Sequence, residues 1–546
     1  MQSLRSEPAG VSQARWSDRD AIALLVALSL PLIFVKLGAA GLVDPDEPYY
    51  AVPALEMLKS RAWAVPIFRG EPWFDKPVLF YWMILAAYKT FGVSEWAARL
   101  GSALAGVGGA VSIVALAPSS WRRGGAHVLA AVVLATSIEY ALLSRFAVTD
   151  VTLTMFLTLG FLAVARHVES PSAGLALLAG AAFGLATLTK GPVGLIVPVV
   201  ALAGYGAATR RRELLAARPV IAAAIGFALT AAPWYLYMLA AHRDLVLTVF
   251  LGRGNLGRFL DPEHRQVPLF YVWVLAAGMM PWSSALPAGL AGAYRDWRAG
   301  EDRGGSPPGR VFALAWFLAV IAVFSLSASK LATYVLPAFP AAAFLIADYW
   351  CRVFGAREEP RPRGPIVVSV AGAAISVALA GTMVLVSGVG RFVGATATVD
   401  VIAAVLVVGG VLAVAAVHTR RFRLLVAAHA ATTVAIVLVL VTAWPALDAA
   451  ASTRTLVQTL SRDGLADQLA GAYRVRDVSL DFYLGHAIVR TSDLSELVRQ
   501  VTSDPGRLWV VLTGDAGLLA ARASLNVEPV VSEPRRAVVR LSPKTR

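Results

Sequence analysis

From Ala21 onward the chain keeps returning to uncharged apolar runs of about 18 to 25 residues, each long enough to cross roughly 30 Å of hydrocarbon as an α-helix. Little else is open to such a chain. In hydrocarbon every backbone N–H and C=O must be satisfied within the protein, so runs of this length read as spanning helices. The composition, 57% hydrophobic and 15% charged with a mean hydropathy of +0.65, points to a polytopic α-helical membrane protein and away from an ordinary soluble domain. The first run, Ala21 to Leu42, follows a polar tail over residues 1–20 and is longer than a typical signal-peptide apolar region, so it is expected to remain as an uncleaved span.

About thirteen spans are expected, with boundaries good to a few residues. They fall near Ala21–Leu42, Trp96–Pro118, His127–Leu143, Val151–Val168, Gly174–Thr189, Val193–Ala208, Pro219–Ala240, Leu269–Leu290, Val311–Leu326, Tyr334–Cys351, Pro365–Val389, Val401–Val417 and Leu424–Trp444. The net charge of +14 sits mainly in arginine clusters between them: Arg122-Arg123, Arg210-Arg211-Arg212, Arg295 to Arg310, Arg352 to Arg363 and Arg420-Arg421-Arg423. The positive-inside rule places these loops and the tail on the cytoplasmic side, so the charge reports topology. No motif for nucleic acid accompanies it, and none is expected as a partner. Cys351 is the single cysteine, which excludes an intramolecular disulfide and a cysteine-based metal site.

With the tail inside, the first span delivers Asp44-Pro45-Asp46-Glu47 to the opposite face. The same alternation puts Asp150, Lys190, the Arg258 to His264 loop and Lys330 there, so one external pocket can gather them. The first outer loop, residues 43–95, carries Trp63, Phe68, Trp73, Phe74, Phe80, Tyr81, Trp82 and Tyr88, a composition suited to the bilayer interface. Within it, Pro48 to Lys59 and Pro77 to Phe91 read as short helices lying at the surface. The membrane domain is expected to end at Trp444. Residues 445–546 read as a small external α/β domain, with strands at 472–475, 486–489, 508–512, 528–531 and 537–540 and helices at 492–502 and 516–523.

Charge near hydrocarbon persists where it is paired or functional. Asp44, Asp46 and Glu47 fit first-turn acids at a helix N-terminus, a divalent-cation site with Asp46 and Glu47 as candidate ligands, or a general base for a hydroxyl. Crowding of like charges raises the pKa of at least one of them. Asp150 reads as an N-cap or as a second functional acid beside Arg145. Lys76, Lys190 and Lys330 either snorkel to the interface or meet a phosphate as point charges. Arg258, His264 and Tyr334 add further polar groups at outer edges. Acids to activate a hydroxyl, cations for an anionic leaving group and an aromatic shelf together suit transfer from a lipid phosphate.

Seven segments carry a resemblance: Asp46-Glu47 with Tyr50 three residues on, Asp75-Lys76-Pro77-Val78-Leu79-Phe80-Tyr81-Trp82, Ser94-Glu95-Trp96-Ala97-Ala98-Arg99-Leu100, Thr149-Asp150, Thr189-Lys190-Gly191-Pro192, Arg258-Phe259 and Ser329-Lys330-Leu331-Ala332-Thr333-Tyr334. In order and spacing, over most of residues 20 to 350, they resemble the bacterial protein-mannosyltransferase-like GT-C glycosyltransferases, particularly the lipid A aminoarabinose transferase branch. The resemblance implies a GT-C membrane fold with an external C-terminal domain. It also implies an inverting transferase that takes a sugar from an undecaprenyl-phosphate carrier on the periplasmic face of the inner membrane and passes it to a lipid or protein acceptor. By position it implies Asp46 as base, Asp150 as second acid, and Lys76, Arg258 and Tyr334 around the donor phosphate. Asp44, Glu47, Tyr50, Lys190, His264 and Lys330 stand as supporting positions. No cofactor beyond a divalent cation is in question. The pattern departs from the branch at Tyr49, where an arginine is usual. A tyrosine cannot supply a guanidinium's fixed charge, so the sugar or the acceptor differs.

A transporter or flippase of a lipid-linked anion is the alternative. It would be expected to carry charges near the bilayer midplane, broken helices and internal repeats, whereas the informative charges here cluster at span ends.

Overall fold

The computed structural model describes residues 17–257, 260, 266–267, 269–303, 306–355, 363–389, 396–522 and 525–544. Helices stand at each of the expected span positions. Seven are long and apolar enough to cross a membrane, and three shorter apolar helices, Val193–Thr209, Arg310–Leu326 and Gly364–Leu379, stand among them. The other three expected spans are broken. The first is the helix Asp18–Ser29 (α1) followed by a wide π-turn at Leu30–Phe34, where Pro31 removes a backbone donor. The second is split into Ala126–Ala135 and Ile138–Leu143, and the third into Phe270–Gly278 and Leu286–Ala299. The two splits face each other. Ile138 N–H donates to the Met280 carbonyl at 3.1 Å, Trp282 Nε1 to Thr136 Oγ1 at 2.9 Å, and Thr433 Oγ1 to the Thr136 carbonyl at 2.6 Å. Backbone groups freed at the breaks thus find partners inside the protein.

Local chemistry starts several helices where they begin. Ser17 and Asp20 form a reciprocal capping box at α1. Ser94 caps Glu95–Leu116 (α4), accepting from Ala97 N–H at 3.2 Å. Small residues then let helices meet at the backbone. A Cβ on Gly180 would stand 1.8 Å from the Ala223 carbonyl oxygen, and one on Gly226 would stand 2.1 Å from that of Leu177, so the helices Ala173–Lys190 and Ala217–Ala241 touch main chain to main chain.

The arginine clusters gather at one end of the bundle. Arg122 pairs with Asp18 at 2.7 Å, Arg310 with Asp296 at 2.6 Å and Arg352 with Asp348 at 2.8 Å, while Arg211 Nε donates to the Asp302 carbonyl at 2.7 Å. The opposite end carries the first loop, with the helices Pro48–Ser60 (α2) and Leu79–Phe91 (α3) and a two-strand hairpin between them, β1 (Ile67–Phe68) and β2 (Glu71–Pro72). Its aromatic residues are not all a shelf facing lipid. Phe74, Phe80, Tyr81 and Tyr88 are buried in the packing of the loop itself, and Trp63 and Trp82 stay exposed.

Against the same end packs a five-stranded sheet of order β4-β3-β5-β7-β6, formed by β3 (Leu469–Tyr473), β4 (Val489–Thr491), β5 (Leu508–Leu512), β6 (Leu525–Ser532) and β7 (Arg536–Pro543). β3 pairs parallel with β4 and β5, and β7 antiparallel with β5 and β6. β3 begins three residues before its expected start and β4 three residues after. Two helices without a sequence expectation, Arg454–Arg462 and Ser479–Leu484, cover one face, and Leu494–Ser503 and Asp515–Arg522 cover the other.

Candidate active site

Beyond the π-turn of α1 the chain runs irregularly to Asp44, leaving carbonyls that no helix satisfies. Two arginines collect them. Arg145 Nη1 donates to the Leu32 and Ile33 carbonyls at 3.0 and 2.8 Å, and its Nη2 to Val35 at 2.7 Å. Arg99 Nη1 donates to Leu37 and Ala40, both at 2.9 Å, and its Nη2 to Gly41 at 2.7 Å. Arg99 also grips Glu47 in a forked, buried ion pair, Nε to Oε1 at 2.8 Å and Nη2 to Oε2 at 2.7 Å.

The backbone N–H groups of Ala147 and Val43 donate to the same carboxylate at 2.7 and 2.9 Å. Glu47 thus clamps the end of the first span to Arg99 and to the turn before Asp150. Among the described residues no group of three or more His, Cys, Asp or Glu side chains is placed to hold a metal ion.

Asp44 faces the C-terminal segment. Its Oδ1 accepts from the Val478 and Ser479 N–H groups at 2.8 and 3.0 Å, and the Ser479 hydroxyl meets Oδ2. It joins the first loop to the C-terminal sheet unit. Burial pushes its carboxyl up to about 6, against the opposing effect of the Ser479 hydrogen bonds.

Asp46, at the turn leading into α2, is exposed. One turn on, the Tyr50 ring lies edge-on to Phe80 at 5.3 Å and tilted to Tyr81 at 5.9 Å. Burial first, and then the charges of Asp75, Asp150 and Asp46, hold the Tyr50 phenol well above its ordinary range. The charges of carboxylates from three separate stretches thus act on one hydroxyl. Asp75 Oδ2 accepts from Lys76 Nζ at 2.7 Å.

Asp150 is buried at the start of the helix Thr149–Glu169, but it does not cap that helix. Its Oδ1 pairs with Lys190 Nζ at 2.5 Å. The placement of Lys190 is local chemistry: Gly191 takes φ +84° and ends the helix Ala173–Lys190, and Pro192 opens the next one. Lys190 Nζ also lies 4.7 Å from the centre of the Tyr334 ring. Lys330 turns back on its own loop, donating to the Ser327 carbonyl at 2.6 Å. Arg258 and His264 lie outside the described residues.

The structure therefore joins Asp150, Lys190 and Tyr334 in one cluster, sets Lys76 against Asp75, and ties Asp44 to Ser479 and Glu47 to Arg99. Sequence reasoning passed over Arg99, Asp75 and Ser479. An arginine in the second turn of a span was the available signal for Arg99, and Asp75 stood in plain view next to Lys76. Nothing in the pattern around Ser479 marked it. An exposed acid beside a buried acid–cation couple can accept a proton on one side and stabilise negative charge on the other.

Residues 21–246 match the family model described as dolichyl-phosphate-mannose-protein mannosyltransferase. The chain is similar to undecaprenyl phosphate-alpha-4-amino-4-deoxy-L-arabinose arabinosyl transferases. It is 32% identical over 342 residues to that of Erwinia tasmaniensis, covering 61% of this chain and 60% of the relative, and 30% identical over 335 residues to that of Yersinia enterocolitica, covering 60% and 59%. The match thus spans about three fifths of these relatives' length. The crystal structure of ArnT from Cupriavidus metallidurans bound to undecaprenyl phosphate superposes with a TM-score of 0.76 at 22% identity, over 95% of this chain and 97% of that one. The chain shares the fold of that structure, a helical membrane bundle with a small α/β unit at the C-terminus.

Proposed function

We propose that this chain is an inverting glycosyltransferase that moves a sugar from an undecaprenyl-phosphate carrier to a lipid or protein acceptor at the periplasmic face of the bacterial inner membrane. The observation that carries this reading is the convergence of Asp46 and the Asp150–Lys190–Tyr334 cluster around Tyr50, at the end of the bundle opposite the arginine clusters. Asp46, open to solvent, takes the proton of the acceptor hydroxyl as its oxygen attacks the anomeric carbon. The bond from that carbon to the carrier phosphate breaks, and the phosphate leaves with the bonding pair. Lys76 and Lys190 supply positive charge for it, and Arg258 joins them on sequence grounds. Asp150 holds Lys190 in place. The C-terminal unit, residues 445–546, sits on the periplasmic side of a membrane domain over 21–444, with residues 1–20 in the cytoplasm.

The sugar stays open at Tyr49, whose ring stacks on Trp73 at 5.7 Å and 7° and leans on Phe68 at 5.6 Å. An arginine there would put a charge into this aromatic packing. The transporter reading gains support from the broken spans, but the two that are split bond to each other instead of framing an open path.

The test is release of undecaprenyl phosphate from undecaprenyl-phosphate sugars by the purified chain in proteoliposomes. Asp46→Asn and Asp150→Asn are each expected to lower it by about 10²- to 10⁴-fold with insertion unchanged. Wild-type rates in both variants would sink the mechanism.

A further inference from the structure

A cavity of about 40 Å³ lies behind the first-loop clamp, where the end of the first span meets the Ile138–Leu143 helix and the end of the Phe422–Ala451 helix. Lys36, Arg145, Trp444, Phe146, Leu142 and Leu440 line it. Its wall also includes Arg99, whose charge is met by Glu47. No such compensation reaches the other two cations. Lys36 is exposed, and among the described residues its ammonium has neither a carboxylate nor a hydrogen-bond partner. The three bonds of Arg145 all go to main-chain carbonyls, so two of its five N–H donors are unassigned among the described residues.

The indole N–H of Trp444 is buried without a hydrogen-bond partner among the described residues, and its ring lies 5.7 Å from that of Phe146. The side-chain polar groups here are thus donors, two of them carrying uncompensated charge, set against apolar walls at the end of a membrane-crossing helix. A buried donor left unpaired costs about 1–3 kcal/mol, and an acceptor-rich anion would relieve it.

We propose that this cavity binds the phosphate of an anionic membrane lipid. Lys36 and Arg145 meet its charge, the Trp444 indole donates to a phosphate oxygen, and the acyl chains lie along Leu142, Leu440 and Val441. A free phosphate would leave those apolar walls uncovered, which is why a lipid is the fitting occupant. The residues are separate from those assigned to sugar transfer, so the site stands or falls apart from that reading.

The full-length chain, purified in detergent and mixed with either phosphatidylglycerol or phosphatidylcholine, is to be followed by native mass spectrometry and thermal unfolding, with an inorganic-phosphate arm. Phosphatidylglycerol is expected to stay bound and to raise the melting temperature where phosphatidylcholine does not. Lys36→Glu, at an exposed side chain, is expected to cut its retention by at least about fivefold, and Trp444→Phe, which keeps the ring and removes the N–H, to weaken it as well. Equal retention of the two lipids, or no change in Lys36→Glu, overturns the proposal. So does inorganic phosphate that stabilises as well as the anionic lipid, since the occupant is then a soluble anion.

Discussion

At the scale of single residues, the carboxylates that look alike in sequence have been given different work by their surroundings. Glu47 is buried with four hydrogen bonds and a guanidinium, and Asp46, its neighbour, is exposed. Removing one partner of a buried pair strands the other, at about 3–5 kcal/mol. Glu47→Gln and Arg99→Met should each lower the unfolding midpoint in detergent by that order, and the double variant should fall well short of the sum of the two. For Asp44 the carboxyl is pushed by burial up to about 6 from an ordinary value of 3.8. The folded state therefore holds the proton more tightly, so the stability contribution is fully present below about pH 4 and is lost as pH rises through about 6, by about 3 kcal/mol. Thermal unfolding of wild type and Asp44→Asn across pH 4 to 7 checks this. The wild type should lose stability over the window relative to the variant, and parallel curves would refute it.

At the scale of elements, the main surprise is how the first span ends. A Leu42 end was expected from hydropathy, yet the helix gives way at a π-turn by Phe34, and Arg99 and Arg145 take over the carbonyls that follow. Hydropathy cannot see this, because an apolar residue in an irregular segment reads like one in a helix. The Ala173–Lys190 and Ala217–Ala241 pair is a case where the elements were placed correctly but their contact was not foreseen. Gly180→Val would drive a side chain into the Ala223 carbonyl, which as backbone cannot yield. We expect overpacking to cost at least about 1–3 kcal/mol, read as loss of the folded fraction in a detergent titration, while Gly204→Ala, with nothing near its Cβ position, should behave as wild type.

For the whole molecule, the sheet unit holds the first loop at several points. Arg69 Nε donates to Asp481 at 2.9 Å and the Tyr483 hydroxyl accepts from Leu42 N–H at 2.8 Å, while at the end of the Phe422–Ala451 helix Asp448 accepts from Gly41 N–H at 2.8 Å; Gly41 and Leu42 lie just before Asp44. The unit thus fixes the loop that carries the proposed base. The double variant Ser479→Ala/Asp481→Asn should loosen that hold. Amides of residues 41–47 should exchange faster with deuterium, and transfer should fall by up to about 10²-fold, the effect of a displacement on the order of 1 Å. Faster exchange with unchanged transfer would separate the unit from catalysis.

The sequence by itself determined the membrane class, the places of the spans and the sidedness of the charges, because span length and arginine placement are properties of a stretch of chain read alone. Order and spacing of short motifs also singled out Asp46, Asp150, Lys76 and Tyr334. Only the tertiary structure decided which acid is exposed and which is clamped, that Lys190 belongs to Asp150, and that Asp44 faces the C-terminal unit. Each of these depends on a partner forty to four hundred residues away, and pairing at that range is set by packing, of which local pattern carries no trace.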